Sequence, residues 1–387
     1  MKVVFLSNFF NHHQRPFSEE MERLTKGQYF FIETTEMSEE RKKMGWGMKD
    51  YPPYVLRNFE NEEQRIYCQK LIDEADVVII GSAPNALIKN RLRNKKLTFY
   101  YSERIYKQKQ CDWYKYPIRV LRHFYKFARH KNLYMLCASA YTAADYAKTF
   151  CFIDKSYKWG YFPATKEYED VGSLIEKKKK NSIAWVARLI ALKHPELPIL
   201  LAKRLKEEGY SFEMKLVGSG EMMQEIDTLI ATYGLQDFVR LLGTMQPEQV
   251  REIMEESEIF LFTSDRNEGW GAVLNEAMNS GCVVVASHAI GSVPFMIKDK
   301  KSGLVYKDGD FENLFEKVKL LLDDKATCKR LARNAYESIV LEWNAEMAAK
   351  RLLDMMARML DGEQKADIFE DGPCSKAKRI KDNWYNG

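Results

Sequence analysis

The chain of 387 residues has no long apolar run. Its uninterrupted apolar stretches reach only about half a dozen residues, where a membrane-spanning helix needs ~20. The first of them, Val3–Leu6, is also too short for the core of a secretory signal, so the sequence predicts a soluble cytoplasmic protein. CxxC pairs are missing as well. The seven cysteines (Cys68, Cys111, Cys137, Cys151, Cys282, Cys328 and Cys374) are scattered, which argues against a disulfide framework and a zinc site. Reduced structural thiols and no metal are expected. Low-complexity sequence is confined to Lys177–Lys180, and no internal repeat is present.

What is present is ample for folding. Apolar residues make up 45% of the chain and the aromatics number 21 Tyr, 21 Phe and 7 Trp, which excludes a disordered or collagen-like chain. The length suits two domains of roughly 150–200 residues each. Net charge is +5, unevenly spread: residues 1–180 carry 33 Lys+Arg against 22 Asp+Glu, and residues 181–387 carry 27 against 33. A basic first half facing an acidic second half predicts different partners, the first being anionic. Nucleic acid, a phospholipid surface and a phosphorylated substrate all fit that description.

Short apolar runs alternate with stretches of helical period. Strands are expected at Val3–Ser7, Tyr29–Thr34, Val77–Ser82, Leu97–Ser102 and Leu133–Ser139 in the first half. The second half offers Ser182–Ala187, Phe212–Gly218, Phe238–Gly243, Ile259–Ser264, Cys282–Ser287 and Gly303–Tyr306. Runs such as VVIIGS and CVVVAS are apolar on both faces, as strands of a covered parallel sheet must be. The alternation predicts an α/β protein of βαβ units. Periodicity fades over residues 151–181, which read as an interdomain connection. The expected division is 1–165, 166–362 and a tail, 363–387, that packs back on the first domain.

The densest signal is TSDRNEGWGAVLNEAMNSGCVVVAS, residues 263–287. An apolar strand ends, a polar loop follows, and Gly269 and Gly271 flank Trp270 just ahead of a helix. Glycines there allow close backbone approach to a ligand, and amides opening a helix favour an anion. Glu268 and Glu276 can accept hydrogen bonds from sugar hydroxyls, or cap and compensate the helix dipole.

These residues resemble a known family. Glu268-x7-Glu276, within EGWGAVLNEAM, is similar to the E-x7-E signature of retaining glycosyltransferase family 4. VARLIALKH places Arg188 and Lys193 as in that family's R-x4-K phosphate-binding pair. KLVGSGE (215–221) and LLGTMQPEQV (241–250) follow in the family's order, and SIVLEW (338–343) is similar to its C-terminal helix region. The resemblance implies a GT-B fold of two facing Rossmann-like domains with parallel sheets. It further implies a retaining, hexosyl-type glycosyltransferase acting on a UDP- or GDP-linked sugar, independent of metal or other cofactor. Donor contacts fall on Arg188, Lys193, Gly218, Gly220, Gly243, Thr244, Gly269, Trp270, Gly271 and Glu276, with Glu276 holding the ribose and Glu268 the transferred sugar. Arg and Lys are complementary phosphate ligands, one a planar fork and the other a movable point charge. Bacterial surface-polysaccharide biosynthesis is the default pathway. A nucleotide-sugar epimerase of the same fold and a catalytically silent assembly partner are the alternatives.

The sequence departs from the family twice. Gly291-Ser292-Val293-Pro294-Phe295 stands where the family has a Gly-Gly pair and then Pro-Glu, and SNFFNHHQRPF (7–17) replaces its first glycine-rich loop. In open parallel sheets ligands sit beyond the carboxyl ends of strands, which makes that loop the first domain's best site candidate. His12 and His13 there can polarise a phosphate oxygen, take an acceptor proton or merely bond to backbone. Asn8 in the same loop, and Glu103 after the expected fourth strand, are candidate acceptor contacts, although Glu103 can equally pair with Arg104 or another cation. Residues 107–131 hold eight Lys+Arg, one Asp and six aromatics. They read either as an amphipathic helix with Val120, Phe124 and Phe127 inward, or as a contact for an anionic membrane surface on the inner face of the plasma membrane, where a glycan or lipid-linked acceptor would be met. Nucleic acid is not the expected partner, because no recognition motif accompanies the charge.

Overall fold

A computed structural model describes residues 1–38, 47, 50–107, 115–363 and 367–385. The chain forms two compact units, Met1–Ala164 with Asn344–Lys381, and Thr165–Trp343 with the residues from Asp382 on. Each is an α/β body around one parallel sheet. The fold is GT-B.

The first unit's sheet has the order β3-β2-β1-β4-β5-β6-β7. The strands are β1 Val3–Ser7, β2 Tyr29–Glu33, β3 Val55–Arg57, β4 Val77–Ile80, β5 Thr98–Ser102, β6 Leu133–Cys137 and β7 Ser156–Lys158. Central strands such as VVII of β4 and LYMLC of β6 are buried throughout, because helices cover both faces. The second unit's sheet has the order β10-β9-β8-β11-β12-β13. Its strands are β8 Lys179–Val186, β9 Glu213–Val217, β10 Val239–Leu241, β11 Ser257–Phe262, β12 Val283–Ser287 and β13 Leu304–Tyr306. Ile183, Trp185, Leu216, Ile259, Leu261, Val283 and Val285 join helical side chains in one core.

Two strands are absent from the sequence reading, β3 and β7. Both are three-residue edge strands, too short to show a period of two. The expected connection over 151–181 is corrected too: it contains β7, the helix Val171–Lys177 and the start of β8. Its lysine run is not a solvated tether. Lys178 is buried, and its Nζ donates to the carbonyls of Met254, Glu255 and Ser280 at 2.9 Å each, satisfying helix-end acceptors.

The boundary at 362 also moves. Helix Ala345–Leu360 belongs with the first unit, where it packs on helix Arg15–Thr25 and Arg23 reaches Glu346 at 3.6 Å. Downstream, Cys374–Ala377 runs antiparallel to β7: Lys158 N–H donates to Ser375 O (2.7 Å), Cys374 N–H to Lys158 O (2.8 Å) and Ala377 N–H to Ser156 O (3.0 Å). This covers an edge that would otherwise expose unpaired backbone groups. Trp384 and Tyr385 return to the second unit, with rings 6.4 and 6.1 Å from that of His288. The six cysteines among the described residues are buried and free; Cys111 lies outside them. No helix among the described residues is long and apolar enough to cross a membrane.

Candidate functional site

In the second unit β8 has β9 on one side and β11 on the other, both parallel to it. Chain order therefore reverses at β8, and the connections leaving β8 and β11 diverge to opposite faces. A parallel sheet offers its ligand crevice at such a point, beyond the carboxyl ends of the strands.

The loop after β8 carries Arg188, which is exposed and has no ion-pair partner among the described residues. Backbone packing fixes this loop against the end of β9: Leu189 N–H donates to Ser219 O (2.9 Å) and Met222 N–H to Leu189 O (3.0 Å). Only glycine fits beneath it. A Cβ on Gly218 would lie 1.9 Å from Ala187 O, and one on Gly220 would lie 2.2 Å from Leu189 O. Gly218 N–H in turn donates to Gly243 O (2.8 Å), and the Ser219 and Thr244 hydroxyls meet at 2.8 Å. Arg188, Gly218, Gly220, Gly243 and Thr244 are thus brought to one end of the sheet.

The loop after β11 is stitched to the same place. Thr263 Oγ1 donates to Lys193 O (2.7 Å), Trp185 Nε1 to Thr263 Oγ1 (2.9 Å), and Asp265 N–H to Leu192 O (3.0 Å). The consequence is a direct pair between the Lys193 ammonium and the Glu268 carboxylate, each about one-seventh exposed (13% and 14%). Ser264 Oγ donates to the same carboxylate at 3.3 Å. His194 was missed from the sequence. Its Nδ1 lies 2.7 Å from Glu196 and its Nε2 3.7 Å from Asp265, and the Glu196 hydrogen bond holds its pKa above the usual value. The only sequence signal was its position beside Lys193.

Glu276 lies in helix Val273–Asn279, a helix of seven residues whose dipole is correspondingly small. No hydrogen bond or ion pair engages its carboxylate among the described residues. Burial pushes its pKa up to about 7, with Arg251 opposing. Trp270, expected beside the ligand, has its ring wholly buried: Nε1 donates to Asn275 Oδ1 (3.0 Å), and Trp343 lies 5.8 Å away. Gly269 precedes it, and Gly271 follows at φ +79, where a Cβ would meet Phe262 Cζ at 2.3 Å. Phe295, standing where the family has a carboxylate, stacks on Trp343 at 6.2 Å and is core.

The first unit's candidates lie at the carboxyl ends of β1 and β5. Asn8 O accepts from Thr35 N–H (2.9 Å), and Asn11 Oδ1 from His13 N–H (3.0 Å). The rings of His12 and His13 are 3.9 Å apart. Burial lowers the pKa of His12 from the usual imidazole value, and burial with the His12 charge brings His13 to about 3, away from the neutrality expected of it. Glu103 accepts from Tyr161 Oη (2.8 Å) and pairs with Lys107; Arg104 pairs instead with Asp145 at 3.5 Å. Of residues 107–131, Trp113 and Tyr114 lie outside the described residues.

Residues 168–338 match the family model described as glycosyl transferases group 1. The chain is 30% identical over 179 residues to the amylovoran biosynthesis glycosyltransferase AmsK of Erwinia amylovora, covering 45% of this chain and 44% of that protein. It is 26% identical over 177 residues to the putative colanic acid biosynthesis glycosyltransferase WcaL of Escherichia coli, covering 44% and 43%. The chain thus spans less than half the length of the curated relatives it matches. Among solved structures it is similar to Anabaena Alr3699/HepE in complex with UDP, with a TM-score of 0.68, 13% identity and coverage of 92% and 100%. A sucrose-phosphate synthase of Thermosynechococcus elongatus matches at a TM-score of 0.63 and 15% identity, covering 94% and 100%.

Proposed function

We propose that this group 1 domain binds a nucleoside-diphosphate sugar, and that the protein transfers the sugar to a hydroxyl of a glycan or lipid-linked acceptor. Retention of configuration and membership of glycosyltransferase family 4 go with that reading, as does a role in bacterial surface polysaccharide. The observation that carries it is the Lys193–Glu268 pair, made by the loops after β8 and β11 at the switch point of the sheet, with Arg188 on the first of those loops and Glu276 in the helix that follows the second. Relatives that act in amylovoran and colanic acid biosynthesis, and a similar fold solved with UDP, support it.

In this reading Glu276 accepts the ribose hydroxyls and Glu268 positions the transferred sugar. Arg188 and Lys193 compensate the diphosphate, and charge that grows on the leaving group is where such donors gain rate. His194 adds a third cation beside Lys193 whenever it is protonated. His12 and His13, neutral at pH 7, act as hydrogen-bonding groups toward the acceptor.

Calorimetry of the purified chain with UDP and GDP, then NMR of the product anomer, tests the proposal. Binding of one nucleotide and an acceptor product of retained configuration are expected. Conversion of donor without acceptor would favour an epimerase, and absence of binding a silent assembly partner.

A further inference from the structure

Apart from the candidate site, the first unit carries a surface that its own core does not explain. Tyr116–His123 is helical, and the next turn, Phe124–Ala128, widens to π geometry. Phe127 points inward, with its ring 4.9 Å from Tyr100 and 5.3 Å from Phe152. The opposite side is apolar and exposed: Ile118 is 71% accessible, Leu121 58% and Tyr125 56%. At i, i+3 and i+7 these three share one face. Phe124 borders them and is also exposed. Packed on the helix is the loop 148–153, tied by Tyr116 Oη to Lys148 O and by His123 Nδ1 to Thr149 Oγ1 (2.9 Å). It holds Phe150 exposed at φ +60, a backbone region that a bulky side chain rarely adopts.

Residues 115–131 contain six Lys+Arg and no Asp or Glu. At the helix's carboxyl end a cavity of about 170 Å³ is lined by Arg93, Lys95, Lys96, Arg129 and Lys131, with no carboxylate in its lining. Arg93, Lys95, Arg122, Arg129 and Lys131 have no acidic partner among the described residues. An apolar stripe ending in a pocket of cations matches one environment, a bilayer interface with anionic headgroups. A second copy of the chain would set six cations against six, and nucleic acid offers no apolar phase to Ile118 and Leu121.

We infer that the helix 116–128, with Phe150 and the cavity at its carboxyl end, docks the first unit onto an anionic lipid bilayer. Ile118, Leu121 and Tyr125 enter the headgroup boundary, while Arg122, Arg129 and Lys131 meet lipid phosphates. The inference needs no donor and no turnover, so it stands or falls apart from the transferase reading.

The test is flotation of the full chain with vesicles of phosphatidylglycerol and phosphatidylcholine in equal parts, against phosphatidylcholine alone. Binding to the anionic vesicles only is expected, unaffected by inorganic phosphate at the same phosphate concentration. Each cation near such a surface is worth about fivefold in partitioning, so Arg122→Glu with Arg129→Glu and Lys131→Glu should lose at least a hundredfold. Ile118→Ser with Leu121→Ser, both exposed side chains, should also lose binding, and circular dichroism reports that each variant is folded. Failure of the parent to float overturns the proposal. So does a folded Ile118/Leu121 variant that binds like the parent, since adsorption would then be charge alone.

Discussion

Replacing Glu268 by Gln gives the sharpest test of the donor site, because the ligand-free chain already uses the cation assigned to phosphate. Lys193 is paired with Glu268, and both side chains are mostly withdrawn from water. A hydrogen bond to a charged group contributes about 1.5–3 kcal/mol, and an incoming diphosphate must compete with it. Glu268→Gln keeps the shape and an acceptor oxygen but removes the opposing charge. UDP or GDP affinity should therefore rise, roughly ten- to a hundredfold by that figure, while sugar transfer falls if that carboxylate positions the sugar as proposed. Unliganded stability should drop by about 1–2 kcal/mol, since a shielded ammonium loses its counter-charge. Nucleotide at a hundred times its dissociation constant adds back about 2.7 kcal/mol. Titration calorimetry and urea unfolding with and without nucleotide measure both. Lys193→Met should weaken nucleotide binding, and the double variant should show strong coupling between the positions. If Glu268→Gln binds nucleotide no better than the parent, Lys193 is not the phosphate ligand and the reasoning fails.

Further tests address other levels of the structure. Burial raises the folded-state pKa of Glu276 from 4.5 to about 7, so the folded chain holds that proton more tightly than the unfolded one. Its stability contribution is present in full below pH 4.5 and is lost as pH rises through about 7; urea midpoints should fall over that window, and less so in Glu276→Gln. If the ribose hydroxyls donate to the ionised carboxylate, nucleotide affinity should rise over the same window, and a flat profile would remove Glu276 from that role. Gly218→Ala should destabilise by roughly 2–3 kcal/mol in urea unfolding, because its Cβ meets Ala187 O; Gly243→Ala, with open space but φ +69, should cost only about 1–2 kcal/mol. Lys178→Ala should cost roughly 3 kcal/mol by freeing two buried carbonyls and one partly buried one, whereas Lys177→Ala and Lys180→Ala should stay within about 0.5 kcal/mol.

The fold was legible wherever a strand is buried on both faces. β4, β11 and β12 read directly from their apolar runs, because a covered parallel sheet demands them. β3 and β7 were not legible: VLR and SYK each end on a cation after three residues, whereas the equally short edge strands β10 (VRL) and β13 (LVY) end on apolar residues and were read from the sequence. Lys178 was hidden for a different reason. One lysine among four looks solvated until the carbonyls of two distant segments supply it with acceptors. The helix Ala345–Leu360 was recognisable as a helix, but an amphipathic pattern does not say which sheet it covers, and the boundary at 362 was misplaced accordingly.

The candidate site divides along the same line. Spacing displayed Glu268 with Glu276 and Arg188 with Lys193, because each pair lies on one loop or across one loop and helix. The Lys193–Glu268 pair spans 75 positions and is invisible to spacing. It exists because β11 pairs with β8, placing a loop from late in the unit beside one from its start. Sequence order alone would seat β9 and β10 between them in time, and only the reversal of strand order at β8 brings the two loops together. The same reversal explains why the glycines at 218 and 220 matter. They thin the backbone on the β9 side so that the Arg188 loop can lie flat against it, leaving the β11 side to supply the carboxylates. Motif residues thus reveal what chemistry a loop carries, while strand order decides which loops share it. A circularly permuted chain that keeps strand order should therefore retain nucleotide binding, although every motif would change its place in the sequence.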